Sequence, residues 1–473
     1  MTHLVLIVAD TLRPPSTVPG YVPELVTPFL AQQRGRMLSM QGAIASSAWT
    51  VPSHASLLSG ADPWDMHYHG PVLRVPQGRT LGSRWREAGG ESAAYSANGL
   101  VSPDYGLLQE YDQMNPFAFN RTVAPRIWGL IQPMGARGMD PTGLVASGGH
   151  PRPSAPRSNL GNLPARLAGK VGNLGVHALL SGRGIVSGID RFLRRRRAGR
   201  PLHLFVNLME AHEPYTLSPL PQGPRLPREV FLPIMSLSRS FEVLGACGSC
   251  PTMLERAYLE AVRRLDDRLR DLFGTLATRD ILQDANVVLV SDHGQALGEH
   301  GFFGHGHSVQ DEIAHVPCYL WRFRRGEHAL ATDLDPSAPF DLRHLHDALV
   351  GLTDQDPKTS VSEGIQSALV RRGPGLCYWE GPGLRHLGTP LAEQGQASVV
   401  RRLRLFLDGK DVVVEQGLTE EEGHVVLRPS PGSDAGELER KAFELLERSR
   451  SSSSGSRELD RSVEQRLRTW GYA

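Results

Sequence analysis

Three apolar runs in this chain end in residues that bind metals or move protons. The run at 287 to 290, VVLV, opens into Ser291, Asp292, His293 and Gly294. The run at residues 4 to 8 is followed closely by Asp10, and LHLFVNLMEAHEPY, from 202, carries Glu210 and His212 past its apolar stretch and stops at Pro214. A short aliphatic run bounded by turn residues suits a strand buried on both faces. Open α/β sheets bind ligands outside the carboxyl ends of such strands. Asp10, His212, Asp292 and His293 are then expected at one edge of one sheet, where carboxylate and imidazole donors together suit a divalent cation. Singly, each reads equally as a helix cap or a surface side chain. Three strand ends with matching donors point to a shared metal or phosphate site.

A fourth segment, SSAWTVPSHASLLSG at 46 to 60, offers a nucleophile. Pro52 fits the first turn of a short helix that Gly60 ends. Thr50 is expected just ahead of that helix, facing unpaired backbone N–H groups and the positive end of the dipole, which makes an oxyanion site. A plain helix-start threonine has the same pattern, and these residues alone do not separate the two readings. Further on, GHGH brings His305 and His307 into a Gly-rich turn, either as a surface loop or to contact phosphoryl oxygens or complete a second metal site.

The motifs together resemble the sulfatase branch of the alkaline phosphatase superfamily. ADTLR at 9 to 13 is similar to its first metal motif and TVPSHASLLSG at 50 to 60 to its Cys/Ser/Thr-x-Pro-Ser-x-Ala nucleophile motif. MEAHEPY at 209 to 215 resembles its His-x-Pro-Tyr substrate motif, SDHGQALGEHGFFGHG at 291 to 306 its second metal motif, and LRTWGYA at 467 to 473 a common family tail. They stand in family order over nearly the whole chain. The resemblance implies an α/β fold with a large, mainly parallel sheet flanked by helices (alkaline phosphatase-like) and a smaller C-terminal α+β subdomain. It also implies Asp10, Thr50, Asp292 and His293 as metal ligands.

The departures from the family pattern bear on chemistry. Thr50 occupies the position that true sulfatases convert to formylglycine, and its β-methyl group rules out an aldehyde at that carbon. The family Arg is His54, the second Asp of the first metal motif is Thr11, Asn98 stands where a Gly-Lys pair is usual, and His305 replaces a later Lys. Thr-nucleophile branches resemble phosphodiesterases, phosphonate monoester hydrolases and phosphoglycerol transferases. The expectation is a metal-dependent hydrolase of phosphodiesters or phosphonate monoesters working through a covalent Thr50 intermediate. His212 is the expected general acid on the leaving group, a role worth ~10²–10⁴ in rate. Asn98, His54, His305 and His307 are expected to contact a small anionic ester substrate. One divalent ion (Mn, Zn, Ca or Mg) is expected, since Thr11 removes an acidic ligand. The alternatives are a sulfuric ester hydrolase, a phosphoryl or sulfuryl transferase, or a non-catalytic binding protein that kept the fold.

With 51 basic and 50 acidic side chains, no global field points to nucleic acid. No apolar stretch approaches the ~20 residues needed to cross a bilayer, and the Met-Thr-His start shows no signal-peptide n-region. The default expectation is a soluble cytoplasmic protein without stable membrane insertion; oligomeric state is not legible. Four cysteines do not make a disulfide framework, and Cys247 and Cys250 form a lone CGSC. The expected organisation is a catalytic domain at 1–325 with a Gly, Pro and Arg-rich insertion at 121–200, a C-terminal subdomain at 326–447, and a linker with a terminal helix at 448–473. The basic run in IDRFLRRRRAGR suits a solvated helix face, although an anionic substrate or membrane surface could use it. Tyr258, Val262, Leu265, Leu269 and Leu272 at helical spacing predict a core-facing helix over 255 to 280. VVRRLRLFLDGKDVVVEQG reads as a hairpin turned at Asp-Gly.

Overall fold

The computed structural model describes residues 2–65, 80–115, 182–196, 199–213, 215, 250–299, 303–306, 308–328, 335–352, 361–372, 374–382, 399–407, 410–417, 424–428 and 435–453. Five main strands build the large sheet: β1 (His3–Ala9), β2 (Glu91–Ser96), β3 (Leu202–Leu208), β4 (Asp284–Val290) and β5 (Cys318–Arg324). Their spatial order is β5-β4-β1-β3-β2, with β5 antiparallel to β4 and the other pairs parallel. Short strands at both edges extend it.

Alternation along β1 shows why the run is apolar throughout. Val5, Ile7 and Ala9 belong to one core, while Leu4, Leu6 and Val8 belong to the other. The first core is covered by α2 (Gly182–Arg195) and α3 (Cys250–Thr278). Tyr258, Val262, Leu265, Leu269 and Leu272 of α3 are all buried in it, as their helical spacing predicts. The second core is covered by α1 (Thr50–Ser59), α4 (Leu342–Gly351) and α5 (Val361–Arg372). The division expected at 325/326 therefore precedes two helices that pack on the large sheet.

Register fixes the functional edge. Ala9 pairs with Leu208 and Val8 with Val290, so the three strands end level and the residues after them emerge together. The Asp10 N–H still bonds to the Leu208 carbonyl at 2.9 Å, and this ties the first loop to the strand beside it.

A second, antiparallel sheet follows: β6 (Gly375–Pro382), β7 (Val399–Leu407), β8 (Lys410–Gly417) and β9 (His424–Arg428). β7 and β8 pair from Leu407↔Lys410 onward, as the Asp-Gly hairpin reading requires. One face packs on α6 (Ala435–Ser453) through Leu403, Leu405, Val412 and Val414. The other contacts Ile44 and Ala48 through Cys377, Phe406 and Val413. The Tyr378 N–H bonds to the Ser46 carbonyl at 3.0 Å, and the Ser47 hydroxyl donates to the Tyr378 carbonyl at 2.9 Å. This sheet thus braces the segment that delivers Thr50. One expectation needs correcting: the linker placed at 448 is still helix as far as Ser453, with Ser449 buried and Arg448 3.3 Å from Asp62. The rest of that tail, most of the 121–200 insertion, Cys247 and His307 lie outside the described residues.

Candidate active site

Asp10, Thr50, Asp292 and His293 meet where the strand ends converge, and all four are fully buried. Asp10 Oδ2 accepts from Asn98 Nδ2 at 2.8 Å, while Oδ1 has no hydrogen-bond partner and lies 3.9 Å from His293 Nε2. Asp292 Oδ1 accepts from the backbone N–H groups of Thr11 at 3.3 Å and His293 at 3.0 Å. Its Oδ2 also lacks a hydrogen bond, with His54 Nδ1 at 3.3 Å and His293 Nε2 at 3.4 Å.

Helix α1 starts on Thr50 itself, with Trp49 at the N-cap, one residue earlier than the sequence suggests. The Thr50 hydroxyl therefore belongs to the first helical turn, where the dipole is positive. His293 Nδ1 donates to the Gly294 carbonyl at 2.9 Å, which leaves Nε2 as the lone-pair atom. The Thr50 hydroxyl donates to that Nε2 at 3.3 Å.

Thr11, in place of an acidic residue, adopts φ +58°. That conformation is unusual for a β-branched side chain. It aims the Thr11 N–H at Asp292, and the Thr11 hydroxyl closes on the Asp10 carbonyl at 2.7 Å. The position contributes its backbone in place of a carboxylate.

Burial, then the neighbouring Asp292 charge, push the Asp10 carboxyl above its ordinary range, against the pull of His212, His293 and His54. For Asp292, burial acts the same way but is outweighed by His293, His54 and the Thr11 N–H, which bring it down to about 2. Two adjacent buried carboxylates, each with an orphaned oxygen, are costly without a cation. Donor atoms of Asp10, Asp292 and His293 lie within 4.8 Å of one another. Carboxylate, imidazole and hydroxyl donors at this spacing fit a divalent ion.

The other expected site residues fall into separate roles. Asn98 holds Asp10 with one amide N–H and accepts from the Leu100 N–H at 2.9 Å with its oxygen. His54 donates from Nδ1 to the Thr50 carbonyl at 2.9 Å and backs Asp292. His305 packs on His293 with ring centroids 4.5 Å apart, and His212 on His305 at 4.9 Å. Glu210 turns away and accepts from the Gly182 N–H at 2.9 Å, at the start of α2. Arg13 joins the first loop to the one after Asp292 through the Gln295 carbonyl at 3.0 Å and Glu299 at 2.7 Å. The residue the motifs did not single out is Glu213. Its carboxylate lies 3.4 Å from His305 Nδ1 and 3.7 Å from His212 Nδ1. An acid beside the motif histidine was the available signal.

Residues 182–342 match the Sulfatase family model. Human iduronate 2-sulfatase is 24% identical over 353 residues, 67% of this chain, and the chain spans 59% of that relative's length. The phosphonate monoester hydrolase SpPMH of Silicibacter pomeroyi has a similar fold, with a TM-score of 0.56 at 15% identity over 96% of both chains. So does i-CgsB in complex with a neocarrahexaose, with a TM-score of 0.53 at 13% identity over 99% of this chain and 97% of that one. The Sulfatase match covers residues 182–342, and across the wider chain the likeness to these solved structures is one of fold.

Proposed function

We propose that the chain is a divalent-metal-dependent hydrolase of phosphoryl esters, acting on phosphodiesters or phosphonate monoesters through a covalent intermediate on Thr50. The observation that carries this is the Thr50 hydroxyl on the first turn of α1, 3.3 Å from His293 Nε2 and beside the orphaned oxygens of Asp10 and Asp292. Asp10, Asp292, His293 and Thr50 would hold the ion, which when bound lowers the pKa of the hydroxyl and polarises a non-bridging ester oxygen.

The chain's own groups do the rest. Asn98 keeps Asp10 in place, and the Thr11 N–H fixes Asp292. The Thr50 oxygen forms a bond to phosphorus as the ester P–O bond breaks, and water then cleaves the Thr50–phosphoryl bond and restores the hydroxyl. The wall lined by His212 and His305 must meet the charge on the departing oxygen. Formylglycine chemistry is closed to a threonine, and for this reason phosphoryl esters are favoured over sulfate esters.

The test is a substrate panel with Mn²⁺, Zn²⁺, Ca²⁺ or Mg²⁺: aryl phosphate mono- and diesters, phosphonate monoesters and aryl sulfates. Thr50→Ala should lose turnover by at least ~10³-fold while still binding metal. Mass spectrometry of quenched wild-type enzyme should find the phosphoryl group on the peptide containing Thr50. A kcat/KM for sulfate esters above that for every phosphoryl substrate, or retained turnover in Thr50→Ala, would refute the reading.

A further inference from the structure

We propose that the exposed face of α2 is a binding track for a chain-like polyanion, a polymer of repeated phosphodiesters. Its reacting ester sits in the active site while the following phosphates lie along the helix. Arg183, Arg191, Arg194 and Arg195 stand exposed on α2, and Asp190 is its one acidic residue. With 3.6 residues per turn and 1.5 Å of rise per residue, the four arginines share about a third of the circumference over a length of about 18 Å. The opposite side, with Ile185, Val186, Ile189 and Leu193, is buried in the core. α3 covers the same face of the sheet, yet it carries five arginines and five acids. It pairs them along itself at Arg264–Glu260, Arg268–Asp271 and Arg270–Asp267. An ordinary solvated helix face is built like α3, and α2 is not.

The acids beside α2 are already taken. Asp190 receives Arg194 at 2.6 Å and Arg279 at 2.9 Å, and Glu91 receives Arg196 at 2.8 Å. Among the described residues, no carboxylate pairs with Arg183, Arg191 or Arg195. In a chain whose net charge is only +1, these three are a local surplus. Guanidinium groups are planar forks that match two oxygens of a phosphate at once.

The track leads to the active-site edge. The Gly182 N–H, at one end of α2, bonds to Glu210 Oε1 at 2.9 Å, two residues before His212. Arg196, just past the other end, reaches Glu91 at the start of β2. α2 therefore runs along the strands, from their carboxyl ends to the opposite edge of the sheet. A polymer can follow that line and turn over the end of the helix into the site. A bilayer laid on the arginines would lie along the strands, with the site opening parallel to its plane, and the apolar side of α2 is not free to insert. Phe192, the one aromatic residue of α2, packs on Tyr95, so the helix offers no platform for stacked bases. Recognition is of charge. The choice of a phosphodiester polymer rests on the phosphoryl-ester reading of the site, whereas the track itself does not.

The experiment uses the full chain and fluorescently labelled long-chain inorganic polyphosphate, read by anisotropy over a salt series. Wild type should bind it, and Arg183→Gln/Arg191→Gln/Arg195→Gln should bind at least ~10-fold more weakly, with the salt slope smaller by about one per arginine removed. Glutamine keeps a good helix propensity, so the triple variant should melt with wild type. Arg270→Gln on α3 should stay within about twofold of wild type in affinity. Equal polyphosphate affinity in wild type and the triple variant would overturn the track. So would arginine-dependent binding to phosphatidylserine vesicles without binding to polyphosphate, which would make the face a membrane contact. In turnover, the triple variant should lose at least ~10-fold in kcat/KM on a synthetic poly(alkylene phosphate), through KM, and keep its rate on a small diester. Equal losses on both substrates would overturn the polymer assignment. If no phosphoryl ester is turned over at all, the reading of the site fails, and the polyphosphate affinities still decide the track.

Discussion

Asp292 and Asp341 are both fully buried carboxylates beside histidines, yet their surroundings differ in kind. Asp341 opens α4, accepts from the Arg343 backbone at 2.8 Å and the Leu376 N–H at 3.0 Å, and pairs with the Arg343 guanidinium at 2.6 Å. Arg343 reaches on to Asp62 at 2.7 Å. Burial would raise the Asp341 carboxyl, but Arg343 and His344 hold it well below the ordinary range. No oxygen of Asp341 is left over. At Asp292 and Asp10 one oxygen of each carboxylate is. The lesson is that burial of a charge does not mark a functional site; burial with an unfinished coordination sphere does.

The contrast can be broken most forcefully by removing metal. Chelation should abolish turnover and lower the Tm, because a ligand bound at about 1,000 times its Kd stabilises by roughly 4 kcal/mol. Re-addition of the ion should restore both. Equal melting of stripped and reloaded protein would show that the orphaned oxygens are not the binding site.

Asp341→Asn comes next in size. Asparagine still caps α4, but it leaves the Arg343 guanidinium buried with only Asp62 to balance it. Breaking one partner of a buried pair typically costs about 3–5 kcal/mol. Urea unfolding should show that loss equally with and without metal. A loss below about 1 kcal/mol would mean that Asp341 is no more committed to its partners than Asp292 is.

How much of this was legible depends on where each residue's partners lie. Asp10, Asp292 and His293 follow directly on apolar runs, so strand-end logic alone brings them together, and the helical spacing in α3 is read by its buried face. Asn98 was expected to face substrate. One of its amide N–H groups also holds Asp10, a partner 88 positions away that no local pattern reveals. Glu213 went unnoticed because its meaning depends on His305, which joins it only after β3 and β4 are both in place. The serine-rich tail read as linker because serine has modest helix propensity. Leu446 packs against the second sheet and Ser449 is buried, so the packed face of the helix runs past the expected boundary, and the helix ends at Ser453.

The smallest expected effect is the most discriminating. Asp10→Asn removes a carboxylate whose ionisation burial and Asp292 already oppose. The new carboxamide oxygen can keep the bond from Asn98, which is 2.8 Å long in the wild type. Its NH₂ then occupies the Oδ1 position, 3.9 Å from the lone-pair atom of His293, and can donate toward it where Oδ1 could not. Shape and volume are preserved. In the stripped state Asp10→Asn should therefore match wild type within about 0.5 kcal/mol, as ordinary tolerated substitutions do, or be slightly more stable. With metal present it should lose most of the metal-induced rise in Tm, because an amide oxygen replaces an anionic ligand. Urea unfolding of both proteins with and without the ion gives the four numbers required. If stripped Asp10→Asn fell by several kcal/mol, Asp10 would be a structural group like Asp341, and the contrast between the two regions would collapse.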